Sequence, residues 1–279
     1  MRPVLEKPKN TKIKAIYMVI IIICVIAISI AVYLQFFKEE KIGVIFGITS
    51  DNEKYSELES NFNNIFTNDV SILDNTNIEI TKVEQDNDIV YSKFNKELQK
   101  DDYSINVAIP YINIDEDIVQ KFNVEIQSAF KSKTESIVSS TDRKIIYTVN
   151  YKAYIQNDIL SLVIKSELKE DSSKQRIIVQ TYNYNLKEKK EVKLEEILNI
   201  KSIDTQTANN KIKDTIKEKQ KQNQSLADLG YNLYARDYTS SIYDVNNADQ
   251  YFLGQDGHVY IIYAYGNDDF TSEMDLVIF

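Results

Sequence analysis

Twenty consecutive residues without a charge, Ala15 to Leu34 (AIYMVIIIICVIAISIAVYL), constrain this chain more than any other feature. At the rise of a helix such a run is about 30 Å long, the thickness of a bilayer's hydrocarbon, and predicts a transmembrane anchor over 15–37. Its flanks orient it. Arg2, Lys7, Lys9, Lys12 and Lys14 precede it against one acid, Glu6, whereas Lys38 and Lys41 beyond it are balanced by Glu39 and Glu40. Positive charge stays on the cytoplasmic side, so residues 1–14 form a cytoplasmic tail and everything after the anchor lies outside the cell membrane. Tyr17 and Tyr33 fall where interfacial aromatics belong. Ser29-Ile30-Ala31 offers the small residues of a signal-peptidase site, but the apolar run is long for a cleaved leader. An uncleaved anchor is the expectation, with regulated release near the membrane as the rival.

The part beyond the anchor carries 28 basic and 41 acidic residues, a balance of −13. Nucleic-acid affinity comes from clustered lysine and arginine, so this balance excludes it. An acidic surface favours solubility and can steer a basic partner. Cys24 is the only cysteine, which rules out a disulfide within the chain. Val25 follows it where a lipoprotein signal needs a small residue. Tyrosine is abundant, 19 residues with no tryptophan, and suits half-buried strands and recognition surfaces alike.

Periodicity predicts an α+β fold: antiparallel sheets packed with amphipathic helices. A stalk and helix occupy 38–74, where Ser50-Asp51-Asn52-Glu53 has the form of a capping box and Tyr55, Leu58, Phe62, Ile65 and Phe66 recur over about five turns. The cluster Asp74-Asn75-Thr76-Asn77 turns the chain, and Ile78, Ile80 and Val83 start a strand. YSINVAIPYI, residues 103–112, reads as a strand that ends or lies at an edge at Pro110, which has no N–H for a ladder. Asp115-Glu116-Asp117 opens a second helix over about 115–138, with Ile118, Phe122, Ile126, Phe130 and Ile137 on its apolar side.

Alternation at Tyr147, Val149, Tyr151, Ala153 and Ile155, a turn at Gln156-Asn157-Asp158, and alternation again at Leu160, Leu162 and Ile164 predict a hairpin. Tyr182, Tyr184 and Leu186 share one face of the next strand, more suited to a core than a contact surface. Residues 204–222 form a helix with a narrow stripe of Ala208, Ile212 and Ile216. Asp256-Gly257 then turns a hairpin, and MDLVIF is a last strand.

Little of this points to catalysis. His258 is the sole histidine and stands beside a turn, without an evident nucleophile or orienting partner. The usual zinc ligand set cannot be assembled. Asp86 with Asp88, Asp115 with Asp117, and Asp268 with Asp269 could supply the two carboxylates of a glycosidase, but helix starts and solvated loops explain each pair. Calcium-loop and phosphate-loop spacings are absent. No residue is singled out as catalytic, cofactor-binding or metal-ligating, no cofactor is expected, and the chain is expected not to be an enzyme.

AIPYINIDEDIVQKFNVEIQSAF, residues 108–130, pairs a proline-bearing strand with an asparagine-bearing helix, and TYNYNLKEKKEVKLEEIL joins a tyrosine-rich strand through a charged turn to a helix start. Both resemble the extracytoplasmic domain shared by the lysozyme-responsive anti-sigma factor RsiV and the non-catalytic part of the peptidoglycan deacetylase PdaC. YFLGQDGHVYIIYAYG is similar to that family's C-terminal strand pair. The resemblance spans about 75–279, with halves at 75–190 and 191–279. It departs in the charged turn, where the family has aspartate and glycine and this chain has Asn185 and Lys189.

The resemblance implies a module that senses lysozyme or meets cell-wall polymer. The 14 residues before the span fall short of the roughly 20–30 that a sigma-factor interface uses. The expectation is a membrane-anchored, extracytoplasmic binding or sensing module of the bacterial envelope. The alternatives are a carboxylate-dependent cell-wall hydrolase and a signalling protein released by cleavage near the membrane.

Overall fold

Two long strands, β4 (Ile145–Gln156) and β5 (Ile159–Glu170), form a hairpin that is the spine of the fold in the computed structural model, which describes residues 50–74, 79–100, 103–139, 144–231, 233–265 and 273–279. Asn157 and Asp158 turn it with φ of 52° and 60°, the left-handed pair a two-residue hairpin needs. The 15–37 anchor, the 1–14 tail, Asn75–Asn77, Ile78 and the Asp268–Asp269 pair lie outside the described residues, as do the side chains of the Ser50–Glu53 box. Among the described residues no helix is long and apolar enough to cross a membrane.

The chain divides into two units, residues 1–60 and 61–279. In the first, α1 (Ser50–Asn61) is 12 residues long, shorter than the five turns expected. A 3-10 turn, Phe62–Asn64, begins the second unit, and Phe62 leaves helical periodicity to be buried.

In the second unit a seven-stranded sheet runs in the order β2 (Val90–Lys100), β3 (Tyr103–Ile112), β4, β5, β6 (Arg176–Asn185) and β7 (Lys190–Glu191), with β1 (Val70–Ile72) also on β4. Strand character thus falls on 70–72 and not on Ile80 and Val83, which lie in irregular chain. The sheet is not purely antiparallel: both β1 and β3 pair parallel to β4. A parallel neighbour needs a crossover, and α2 (Asp117–Ser139) supplies it between β3 and β4.

β3 pairs with β4 only from Tyr103 to Val107, opposite Ile145 to Val149, and β1 takes the remainder of that edge at Ala153 to Ile155. Pro110 therefore does not end the strand. It stands where β3 has parted from β4, so its missing N–H leaves no gap in a ladder. The freed edge is met by three amide side chains of α2. Gln127 donates to the Pro110 carbonyl (3.0 Å), Gln120 to that of Ile114 (2.7 Å), and Asn123 both accepts from the Ile112 N–H (2.9 Å) and donates to its carbonyl (2.8 Å). The apolar face of α2 holds Val119, Phe122, Ile126, Phe130 and Ile137; Ile118 faces outward, displaced by Val119. Phe122 stacks on Tyr182 at 4.2 Å, and Tyr182, Tyr184 and Leu186 are core residues as expected.

The turn after β6 is held by a side chain at one position and strained at another. Asn185 Oδ1 accepts from the N–H groups of Lys187 (2.9 Å) and Glu188 (2.8 Å), as an aspartate oxygen would. Lys189 has φ of 56°, a conformation glycine adopts without cost. Lys189→Gly is expected to stabilise the protein by about 0.5 kcal/mol, relief of about 1 kcal/mol of backbone strain less the small worth of an exposed ion pair with Glu116. Chemical denaturation of the two proteins checks it.

A second sheet, β10 (Met274–Ile278), β9 (Val259–Ala264) and β8 (Gln250–Leu253), is antiparallel throughout. One face packs on α3 (Leu194–Ile200) and α4 (Thr205–Ala227), whose Ala208, Ile212 and Ile216 are fully buried. The other meets the first sheet, where Tyr154, Phe252 and Tyr260 stack in series. The free edge of β8 is satisfied by side chains of β5 and β6. Ser161 Oγ accepts from the Leu253 N–H (3.2 Å), Thr181 Oγ1 from that of Tyr251 (3.0 Å), and Asn183 donates to the Tyr251 carbonyl (2.8 Å). Buried Ser161 and Asn183 thus close a strand edge.

Candidate functional site

Strand alternation sends Tyr147, Val149, Tyr151 and Ala153 of β4 into the core beneath α2, and so sends Lys152 and Tyr154 to the opposite face. On β5 the same rule places Lys165 there. Neither lysine is solvated, because the segment from Asn61 to Asp69 straps across them. Lys152 Nζ donates to Thr67 Oγ1 (3.0 Å) and pairs with Asp69, while Lys165 Nζ donates to Asn63 Oδ1 (2.6 Å) and pairs with Glu167. Asn68, left-handed at φ 58°, accepts from the Tyr151 N–H with its side chain (2.9 Å) and donates its own N–H to the Tyr151 carbonyl (2.9 Å). It fills the step between β1 and β3 on the edge of β4.

Between the strap and the strand opens a cleft of about 300 Å³. Asn61, Asn64, Ile65 and Thr67 line it from the strap, and Lys152 and Tyr154 from β4. Gln255 closes it from the β8–β9 turn. The floor is rigid: Tyr154 stacks on Phe252 at 6.0 Å, and Phe252 on Tyr260 at 4.7 Å. Tyr260 donates to Asp256 (2.8 Å), and burial holds both tyrosines protonated above the ordinary phenol range. A second cavity, about 20 Å³ beside Tyr184, Glu116 and Lys189, has room for no more than a single water.

Gly254 keeps this floor flat. A Cβ there would lie 2.6 Å from Tyr260 Cε2 and 3.1 Å from Asp256 Oδ1. Gly254→Ala is expected to lower stability by about 1–3 kcal/mol by forcing the Tyr260 ring off Phe252, visible as a fall in Tm.

Burial pushes the Asp69 carboxyl up, but hydrogen bonds from Lys152 and Thr67, with the lysine's charge, outweigh it and hold it below its ordinary 3.8. A depressed pKa contributes stability in full above the unfolded value and loses it as pH falls through the folded one. The strap is therefore expected to loosen below about pH 3.8. Asp69→Asn should flatten the acid limb of a stability-versus-pH curve, and an unchanged limb would contradict the assignment.

The acid pairs read from the sequence do not converge here. Asp86 and Asp88 sit in the loop before β2, Asp115 and Asp117 at the start of α2. His258 places Nδ1 2.6 Å from the Phe279 carbonyl, tying the start of β9 to the chain's last residue. Among the described residues no group of three or more His, Cys, Asp or Glu could hold a metal ion. The cleft residues escaped sequence reading, since an outward lysine on a strand looks like any solvated one until a second layer covers it.

No family model and no curated protein matches the sequence. Solved structures of DUF3298 family proteins, a domain of unknown function, align with part of this chain. One from Pseudomonas aeruginosa PAO1 aligns with 10% identity over 72% of this chain and 89% of its own, at a TM-score of 0.38. One from Bacteroides fragilis aligns with 13% identity over 63% and 80%, at 0.28.

Proposed function

We propose that the chain is a membrane-anchored, extracytoplasmic binding or sensing module of a bacterial cell envelope, of the RsiV/PdaC type, with its N-terminus in the cytoplasm. The apolar run 15–34 with its basic leading flank supports the anchor, and the −13 balance beyond it supports an exposed outer part. The observation that carries the binding reading is the strap cleft, which gathers amide, hydroxyl and ammonium groups on a rigid floor. No carboxylate lines it among the described residues, whereas hydrolysis of a glycoside by the common route needs two flanking the bond. Recognition of lysozyme, a basic protein, would instead use the acidic surface.

The test is retention of the purified full chain, in detergent micelles, on insoluble peptidoglycan and on immobilised lysozyme. Retention on either supports the module. Passage through both discards both partners, and release of soluble sugar from wall material would favour the carboxylate-dependent hydrolase. Full-length chain persisting through envelope stress would remove the reading in which the outer part is shed near Ser29 to Ala31.

A further inference from the structure

We infer that the strap cleft takes an uncharged, polyhydroxylated ligand, a short segment of glycan; this rests on the envelope-binding reading and narrows it to one site and one chemistry. The lining supplies what sugars need. Amides at Asn61, Asn64 and Gln255 each offer donors and an acceptor, matching groups that themselves donate and accept, while the Thr67 hydroxyl is engaged by Lys152 and Asp69. The charge excludes the obvious competitor. Lys152 is the one ionised side chain lining the cleft among the described residues, and its ammonium is already held by Asp69 and Thr67. An anion would have to displace a carboxylate, and an apolar ligand would strand the amides without partners.

Preorganisation points the same way. Lys152 is buried and doubly held, Tyr154 is fixed by its stack, and Phe62, 1% exposed, pins the start of the strap. These three groups are ordered before binding and lose little freedom on it, whereas the amides of Asn61, Asn64 and Gln255 are exposed and order with the ligand. A volume of about 300 Å³ is at the small end of ligand sites, suited to one or two sugar rings and not to a protein loop.

The experiment titrates the full chain in detergent micelles with tri-N-acetylchitotriose, maltotriose and inorganic phosphate, by calorimetry and saturation-transfer NMR. Binding of either trisaccharide, weakened about tenfold by Asn64→Ala and by Gln255→Ala with Tm unchanged, supports the proposal. The two sugars separate an acetamido-dependent site from one reading hydroxyls alone. Both substituted residues are exposed, so a loss of binding would not reflect unfolding. Binding of phosphate in place of sugar, sugar binding that both variants leave intact, or no sugar binding at all overturns it. Retention on peptidoglycan or lysozyme without trisaccharide binding would overturn this site and leave the module reading standing.

Discussion

Asp275→Ala is expected to lower the free energy of unfolding by about 3–5 kcal/mol, on the order of 10 °C in Tm. Asp275 and Arg236 are both buried, with side chains 3% and 5% exposed. Arg236 donates to Asp275 through Nε and, at 2.9 Å, through Nη2, and reaches Glu273 at 3.2 Å and the Tyr234 carbonyl at 3.1 Å. Tyr265 donates to the same carboxylate at 2.8 Å and meets the Tyr243 hydroxyl at 2.8 Å. Burial disfavours the guanidinium's charge, but the Asp275 hydrogen bond and charge outweigh it and raise its pKa further. Burial likewise pushes the Tyr243 phenol up to about 12.

Removing the aspartate leaves a cation in the interior with a single carboxylate, Glu273, at longer range. It also frees the irregular chain around Tyr234, which Arg236 ties to β10. Arg236→Met combined with Asp275→Leu is expected to recover much of the loss, because the buried guanidinium is then gone and only Glu273, 18% exposed, is left without its cation. Urea unfolding of the single and double variants measures both, and a single-variant loss below about 1 kcal/mol would show that Glu273 substitutes fully.

Asn123→Ala carries the second largest effect, about 2–4 kcal/mol. Asn123 is 1% exposed and serves both backbone groups of Ile112, itself fully buried. Its loss strands a donor and an acceptor where neither a strand nor solvent can reach them, and Gln120 and Gln127 are committed to other carbonyls. Asn123→Asp should be nearly as costly, since a carboxylate can accept from the Ile112 N–H but cannot donate to its carbonyl. Amide hydrogen exchange offers a local check: the Ile112 N–H should lose protection in both variants while β5 retains it.

The Asn123 case shows what kind of information a sequence holds. The strand through Pro110 and the asparagine-bearing helix after it stand out as a pair in the chain, and the resemblance rests partly on them. Periodicity locates that helix to within two residues of Asp117–Ser139 and the β4–β5 hairpin at its turn. Why an asparagine belongs on the buried face was not legible. The reason lies in where β3 leaves β4, a property of the sheet and not of either segment. Ile118 and Val119 illustrate the same limit: both fit a helical stripe, and only the direction of the sheet chooses Val119.

The cleft was the least legible element. Lys152 and Lys165 alternate out of the first core as any surface lysine would. Their burial follows from the 61–69 strap, whose contacts to them lie 85 and 102 positions away in sequence. Gln255 joins Asn64 and Thr67 only because β8 and β9 lie against that face.

Local chemistry, then, is what the chain states by itself: an uncharged run long enough to span a bilayer, an acidic remainder without clustered base, alternating strands, and turns marked by Asn157-Asp158 and Asp256-Gly257. Those depend on neighbours a few residues apart. The tertiary structure decided the parallel seating of β1 and β3 on one edge of β4, the amide edging by α2, the buried Arg236–Asp275 pair and the strap cleft. Each is a meeting of distant segments. Which polar groups end up facing each other without water is fixed by how the layers stack, and no local period encodes that.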